Sequence, residues 1–348
     1  MNTALVKIAV GTPDNSWAKR FVAALEEKRN SGYPLTYDVV SMHRKDWLEK
    51  LRPYDVVIWK SASMGVEHSL RFKEKIYVIE KFLRKLVIPN FDSIWHFESK
   101  IAQHYLFTLE KIPIPRTVVT FDFHEAQHLK DETYPLVFKK SEGAGSKNVR
   151  LVESRHAAKK LIAEAFSSQI YREARSRGWR WPQIALRSFW KPWFWRWLLG
   201  RRWKNLSPGY LYWQEFLKGN PADLRITAIG DCYAYGFWRH NRPHDFRASG
   251  SGLLDYHRPI PEECVRYCLA CNQRLNFDSM AYDILFQEGR FAITEISYGY
   301  VDRCLERVSG HFELSEAGNL SFVPGHVWPQ NLWVDWALIR WERSRKRS

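Results

Sequence analysis

The sequence has no run of about eighteen uninterrupted apolar residues, so no segment of it reads as a bilayer-spanning helix. Its first apolar stretch, from Ala4 to Val10, is short and broken by Lys7, which does not suit a secretory signal. Cysteine is sparse and odd in number, five in 348 residues, which argues against a disulfide framework and favours a reducing cytoplasm. Internal repeats and low-complexity tracts are not evident. The first strand-to-helix turn, Gly11-Thr12-Pro13, lacks the glycine fingerprint of a dinucleotide site.

What is abundant is tryptophan, 17 residues, and positive charge, formally +15. Such a surface favours anionic partners: nucleotide, nucleic acid, acidic saccharide or anionic lipid. The charge is local. Between Tyr171 and Lys204 lie seven tryptophans and ten Lys or Arg against the single acid Glu173, a net +9.

The hydrophobic pattern divides the chain. Residues 5–10, 37–40 and 56–59 read as strands, with helices at 16–28, 48–51 and 68–86, which predicts a small parallel α/β domain over 1–90. A helix over 99–109 then runs into Ile112-Pro113-Ile114-Pro115, where the prolines force an extended segment. Strands at 136–140 and 149–152 flank a glycine-bearing loop and predict a hairpin. Later strands are expected near 213–216, 224–229, 232–237, 280–286 and 290–296. The expected domains are 1–90, 91–210 with the 171–204 insertion, 211–310, and a C-terminal extension over 311–348.

Chemistry-bearing residues follow this frame. Lys139 ends a strand and is followed by Glu142-Gly143-Ala144-Gly145-Ser146, where small residues let backbone amides approach a polyphosphate and lysine adds a point charge. Asp283 and Glu295 each sit between aliphatic neighbours on consecutive predicted strands, a placement that is costly to bury unless a cation or partner neutralises it; the pair suits Mg²⁺, or else faces solvent. Between the glycine hairpin and Asp283 lie Asp223-Leu224-Arg225, Arg239, Arg242 and the stretch Asp245-Phe246-Arg247-Ala248-Ser249-Gly250-Ser251-Gly252. Arginines there can clamp an anionic substrate or a transferring phosphoryl group.

The order of these features resembles the ATP-grasp superfamily, over about residues 87–300. The features are Lys100 on a helix, the proline pair, the lysine–glycine hairpin, Gln214-Glu215-Phe216, Asp223-x-Arg225, Arg247, Asp283 and Glu295. The twelve-residue step from Asp283 to Glu295 is similar to that of RimK-type carboxylate–amine ligases. The phrases Asp-Phe-Arg-Ala-Ser-Gly-Ser-Gly and Glu-Ile-Ser-Tyr-Gly also resemble a group associated with bacterial surface-polysaccharide genes. The resemblance implies an α+β ATP-grasp fold: a parallel α/β pre-ATP-grasp domain, then two grasping subdomains.

It further implies ATP and Mg²⁺ as cofactors. Lys100 and Lys139 would contact phosphates under a loop holding Gly143, Gly145 and Ser146. Glu215 and Phe216 would present backbone groups to adenine, and Asp223 would reach the ribose. Arg247 would face the transferred phosphate, while Asp283 and Glu295 would hold the metal. Where such ligases carry Asn two residues after the metal-binding Glu, this chain has Ser297, a shorter neutral ligand. Arg239 and Arg242 are candidates for holding a substrate carboxylate.

The implied reaction joins a small carboxylate to an amine through an acyl phosphate, with a cell-surface saccharide or its precursor as candidate acceptor. A kinase acting on a hydroxyl and a non-catalytic binder of acidic polymer remain alternatives; nucleic acid is not favoured. The 171–204 insertion reads as a membrane or polymer surface, a stacking platform for sugars or single-stranded bases, or a lid on the protein's own core. Peripheral membrane contact through 189–203, at the inner face, belongs to the first of these. Cys264, Cys268 and Cys271 match an iron–sulfur spacing but fall on one face of a predicted helix, which points to core packing.

Overall fold

The computed structural model describes residues 4–12, 16–61, 66–128, 132–141, 149–166 and 209–346. The chain forms two compact units, one from Met1–Glu98 with Gly219–Ser348 and the other from Ser99–Lys218.

The first unit begins with strands β1 (Val6–Thr12), β2 (Leu35–Ser41), β3 (Val56–Ile58) and β4 (Leu86–Ile88), all parallel in the order β2-β1-β3-β4. Helices α1 (Ser16–Asn30), α2 (Trp47–Leu51), α3 (Val66–Lys81) and α4 (Phe91–Ile94) alternate with them. Helix α1 buries Trp17, Phe21, Ala24 and Leu25, spaced three to four apart as one helical face requires. The helix expected over 68–86 stops at Lys81 instead. Arg84 takes a positive φ of 53°, which ends helical propagation, and the apolar triplet Leu86-Val87-Ile88 pairs with β3 as a fourth strand.

A larger sheet fills the rest of this unit. Its strands are β9 (Ala222–Ile229), β10 (Tyr233–His240), β11 (Leu254–Asp255), β12 (Ser279–Gln287), β13 (Arg290–Ser297), β14 (Gly310–Leu314) and β15 (Leu320–Pro324). The order is β13-β12-β9-β10-β14-β15, with β11 added on β10. Three helices accompany it: α8 (Glu262–Leu275), α9 (Asp302–Glu306) and α10 (Pro329–Lys346). One apolar cluster joins both sheets, drawing on Ile8, Phe21, Val56, Ile229 and Trp333. Trp333 of α10 is fully buried, and its indole donates to the Tyr300 hydroxyl at 2.6 Å. On α8, Cys264, Cys268 and Cys271 are buried thiols outside any disulfide, beside Val265 and Leu269, so their spacing serves packing.

The second unit holds α5 (Lys100–Leu109), β5 (Thr117–Thr120), α6 (Phe123–His128), β6 (Leu136–Lys139), β7 (Val149–Val152), α7 (Arg155–Ala165) and β8 (Leu211–Glu215). Its sheet is antiparallel in the order β5-β8-β6-β7. Leu136, Phe138, Val152, Ile162, Phe166 and Trp213 pack its core. Ser99 caps α5 by accepting from the Ala102 amide, and Ser154 caps α7 in the same way. Gly143, Gly145, Ser146, the 171–204 insertion and its 189–203 segment lie outside the described residues. Among the described residues no helix is long and apolar enough to cross a membrane.

Candidate functional site

In the Ser99–Lys218 unit the two expected phosphate lysines are both buried. Lys100 opens α5, and its amide donates to the Ser141 carbonyl just beyond β6. Lys139 ends β6, where antiparallel pairing with β8 sets Val137 opposite Gln214. The Lys139 ammonium donates to Gln214 Oε1 at 2.6 Å, and Gln214 Nε2 donates to Thr117 Oγ1 at 3.1 Å. Gln214 therefore fixes the direction of Lys139. The sequence motif Gln214-Glu215-Phe216 assigns Gln214 no role; the pairing of the two strands is the signal that points to it. Glu215 and Phe216 are half-buried at the end of β8. The Glu215 amide donates to the Arg116 carbonyl at 2.8 Å.

In the other unit, sheet register brings the remaining strand residues onto one face. Asp223 pairs with Arg239 across β9 and β10, Arg225 with Asp283 across β9 and β12, and Asp283 with Glu295 across β12 and β13. Directly opposed and i, i+2 residues share a face of a sheet, so Asp223, Arg225, Arg239, Asp283, Glu295 and Ser297 point the same way. A register shift follows Asp283, after which the ladder resumes one residue out of step. The shift lies just beyond the candidate metal position, as is common for bulges near functional groups.

The side chains form a charge-balanced network. Arg239 donates from Nε and Nη2 to the two oxygens of Asp223 at 2.7 and 2.6 Å, and Nη2 also reaches Asp283 at 2.8 Å. Arg225 donates from Nε and Nη2 to Asp283 at 2.8 and 2.9 Å. Burial alone would raise the Asp283 carboxyl, but the two guanidinium groups outweigh it and hold the group below the usual carboxylate range. Asp223, with one close arginine, is raised because burial prevails. Burial would lower Arg239, yet Asp283 and Asp223 overcome it and push the guanidinium up. The motif Asp223-x-Arg225 gives Arg225 no role of its own; its i, i+2 spacing from Asp223 is what marks the shared face.

Arg242 and Arg247 lie on the loop between β10 and β11 and are tied within it. Arg247 is bidentate to Asp245, holding that carboxyl low, and Arg242 donates to the Ser249 carbonyl at 2.7 Å. The Arg242 amide donates to the Arg247 carbonyl, so the two arginines share one compact turn.

Asp283 and Glu295 supply two hard oxygen donors on neighbouring strands, and the half-buried Ser297 adds a hydroxyl. Among the described residues no three of His, Cys, Asp or Glu gather into a metal-binding group. That donor set fits Mg²⁺, which takes one or two carboxylates and completes its shell with water and phosphate oxygens. A cation would share Asp283 with Arg225 and Arg239.

No family model matches the chain. It is 22% identical over 281 residues to the alpha-aminoadipate–LysW ligase LysX of Saccharolobus solfataricus, covering 78% of this chain and 88% of that protein. Among solved structures it is similar to the D-alanine–D-alanine ligase of Bacillus anthracis, with a TM-score of 0.54, 13% identity and 99% of each chain covered. It is also similar to the ATP-grasp ligase PsnB bound to a minimal precursor, with a TM-score of 0.54, 15% identity, 97% of this chain and 99% of that one.

Proposed function

We propose that this chain, which has the ATP-grasp fold, is an ATP- and Mg²⁺-dependent ligase that joins a carboxylate to an amine. The observation that carries the reading is the network of Asp223, Arg239, Asp283 and Arg225 on one sheet face, with Glu295 opposite Asp283. The four charges offset one another by ion pairing, and buried carboxylates with shifted pKa values beside such partners cluster at functional sites.

Each residue has a defined task in this proposal. Lys100 and Lys139 bind the nucleotide phosphates, and Gln214 orients Lys139. Backbone groups at Glu215 and Phe216 bind adenine. Asp223, proposed to reach the ribose, also orients Arg239 through both of its oxygens. Asp283 and Glu295 hold Mg²⁺, with Ser297 contributing a weaker oxygen; the cation supplies charge neutralisation at the phosphates. Arg247 steadies the transferred phosphate, and Arg239 and Arg242 steady the carboxylate. The substrate carboxylate attacks the γ-phosphate, giving an acyl phosphate and ADP, and an amine then displaces phosphate.

The names of LysX and of D-alanine–D-alanine ligase point to amino-acid substrates. A cell-surface saccharide or its precursor as acceptor, and peripheral membrane contact through 189–203, rest on the composition of the insertion and on the polysaccharide-associated motifs. Hydroxylamine separates a ligase from a kinase. A ligase given Mg²⁺, ATP and its carboxylate forms a hydroxamate and releases ADP, whereas a kinase leaves phosphate on a hydroxyl. ADP release from a panel of amino acids with no hydroxamate would overturn the ligase reading.

A further inference from the structure

Successive residues of a strand point to opposite sides, so the antiparallel sheet of the Ser99–Lys218 unit has two distinct faces. One carries Leu136 and Phe138 of β6 with Leu211 and Trp213 of β8, and these pack with Ile162 and Phe166. The other carries Val137 and Lys139 of β6 with Tyr212 and Gln214 of β8. Helix α5 meets this second face, where the His104 ring stands edge-on to Tyr212 at 6.2 Å.

Ser141 ties these pieces together. It is buried two residues beyond Lys139, and a buried amide must find an acceptor. The register of β6 with β8 pairs Leu136–Phe138 with Glu215–Trp213. Beyond that ladder the Ser141 amide donates to a side chain instead, the Tyr210 hydroxyl, at 2.5 Å. The Ser141 carbonyl accepts from the Lys100 amide at 3.1 Å, and its hydroxyl lies 3.5 Å from that of Ser99, the cap of α5. Tyr210 is itself buried just before β8, with its ring 5.8 Å from that of Phe121. One residue thus links the start of α5, the end of β6 and the approach to β8.

We propose that Tyr210 is a positioning residue for ATP. By fixing the Ser141 peptide, its hydroxyl sets where α5 begins and so where the Lys100 ammonium stands relative to Lys139. Two lysines on different elements converge on one polyphosphate only if their spacing is held beforehand; otherwise binding must also order them. This role rests on the reading of Lys100 and Lys139 as phosphate ligands. Adenine, assigned to backbone groups at Glu215 and Phe216, does not depend on it.

Calorimetry of Mg²⁺-ATP and of adenosine on wild type and Tyr210→Phe tests the proposal. The substitution removes one oxygen and keeps the ring against Phe121. ATP affinity should fall about fivefold, while adenosine affinity changes by less than about twofold. In a Lys100→Met background Tyr210→Phe should add nothing to the loss, because the lysine through which it acts is gone. Equal losses for ATP and adenosine, or a full effect of Tyr210→Phe without Lys100, would make the tyrosine merely structural and overturn the proposal. Amide exchange at Ser141 in the wild type needs no variant. Phosphate binding and the tie should strengthen each other, so ATP should slow that exchange at least threefold more than adenosine does. Equal protection by the two overturns the proposal. Unchanged ATP affinity in folded Tyr210→Phe sinks the tie alone, whereas a folded wild type that binds no ATP sinks the nucleotide-site reading with it.

Discussion

Arg225 and Asp283 stand opposite each other on β9 and β12 and are joined by two hydrogen bonds, at 2.8 and 2.9 Å. The aspartate is nearly closed off from solvent, while the arginine keeps a fifth of its side chain exposed. Arg225→Met leaves a buried carboxylate with only Arg239, and should cost about 3 kcal/mol of stability. Adding Asp283→Leu should recover much of that loss. Urea unfolding of the two single variants and the double variant measures the coupling; additive effects would show that the pair acts independently.

The Lys139 ammonium donates to Gln214 Oε1, which sets its direction. Gln214→Leu should weaken ATP binding about tenfold, near 1.4 kcal/mol, by releasing the ammonium from its fixed direction. Stopped-flow or calorimetric ATP affinity checks this. Unchanged affinity would mean that Gln214 supports only the sheet.

His96 is buried beside Phe277 and Trp95, and burial, assisted by Lys73, pushes its imidazole down to about 3. The unfolded chain binds a proton near pH 6.5, whereas the folded chain does not until about 3. The unfolded state therefore holds more protons in that window. Stability is full above pH 6.5 and falls as pH drops, by up to about 1.4 kcal/mol per unit from this group. His96→Phe should flatten the slope between pH 6.5 and 5 in urea unfolding; an unaltered slope would assign it to other groups.

The C-x3-C-x2-C spacing on α8 gives a simple count. Cys264, Cys268 and Cys271 are buried, and burial raises the Cys264 and Cys268 thiols, while Cys232 and Cys304 are half-buried. A thiol reagent should modify only the latter pair in the native protein and all five after unfolding. Rapid native modification of any α8 thiol would contradict the packing role.

Trp333 fills the junction of the two sheets in its unit. Trp333→Ala should cost about 3–5 kcal/mol by opening a cavity and removing the bond to the Tyr300 hydroxyl. Thermal unfolding measures the loss, and a drop under about 1 kcal/mol would show that α10 adds little to the core.

The alternation of strands and helices in the first ninety residues was legible because parallel strands buried on both faces read as short apolar runs. The fourth strand was not, because Leu86–Ile88 follows a helix of similar hydropathy and only the positive φ of Arg84 separates them. In the 311–348 region no element was assigned, yet it forms β14, β15 and α10. Tryptophan and arginine are mixed along α10, which obscures its helical stripe, and tertiary burial sets its face. The site strands were readable from motif order. The ion pairing among Asp223, Arg225, Arg239 and Asp283 was not, since it depends on register between strands as far as 58 residues apart.

In the proposed function Lys139 holds phosphate in a Mg²⁺-dependent ATP site. Titration calorimetry of ATP, with and without Mg²⁺, on the wild type and on Lys139→Ala, tests it most directly. Binding should need Mg²⁺ and weaken at least tenfold in the variant. Absence of ATP binding in the folded wild type would contradict it.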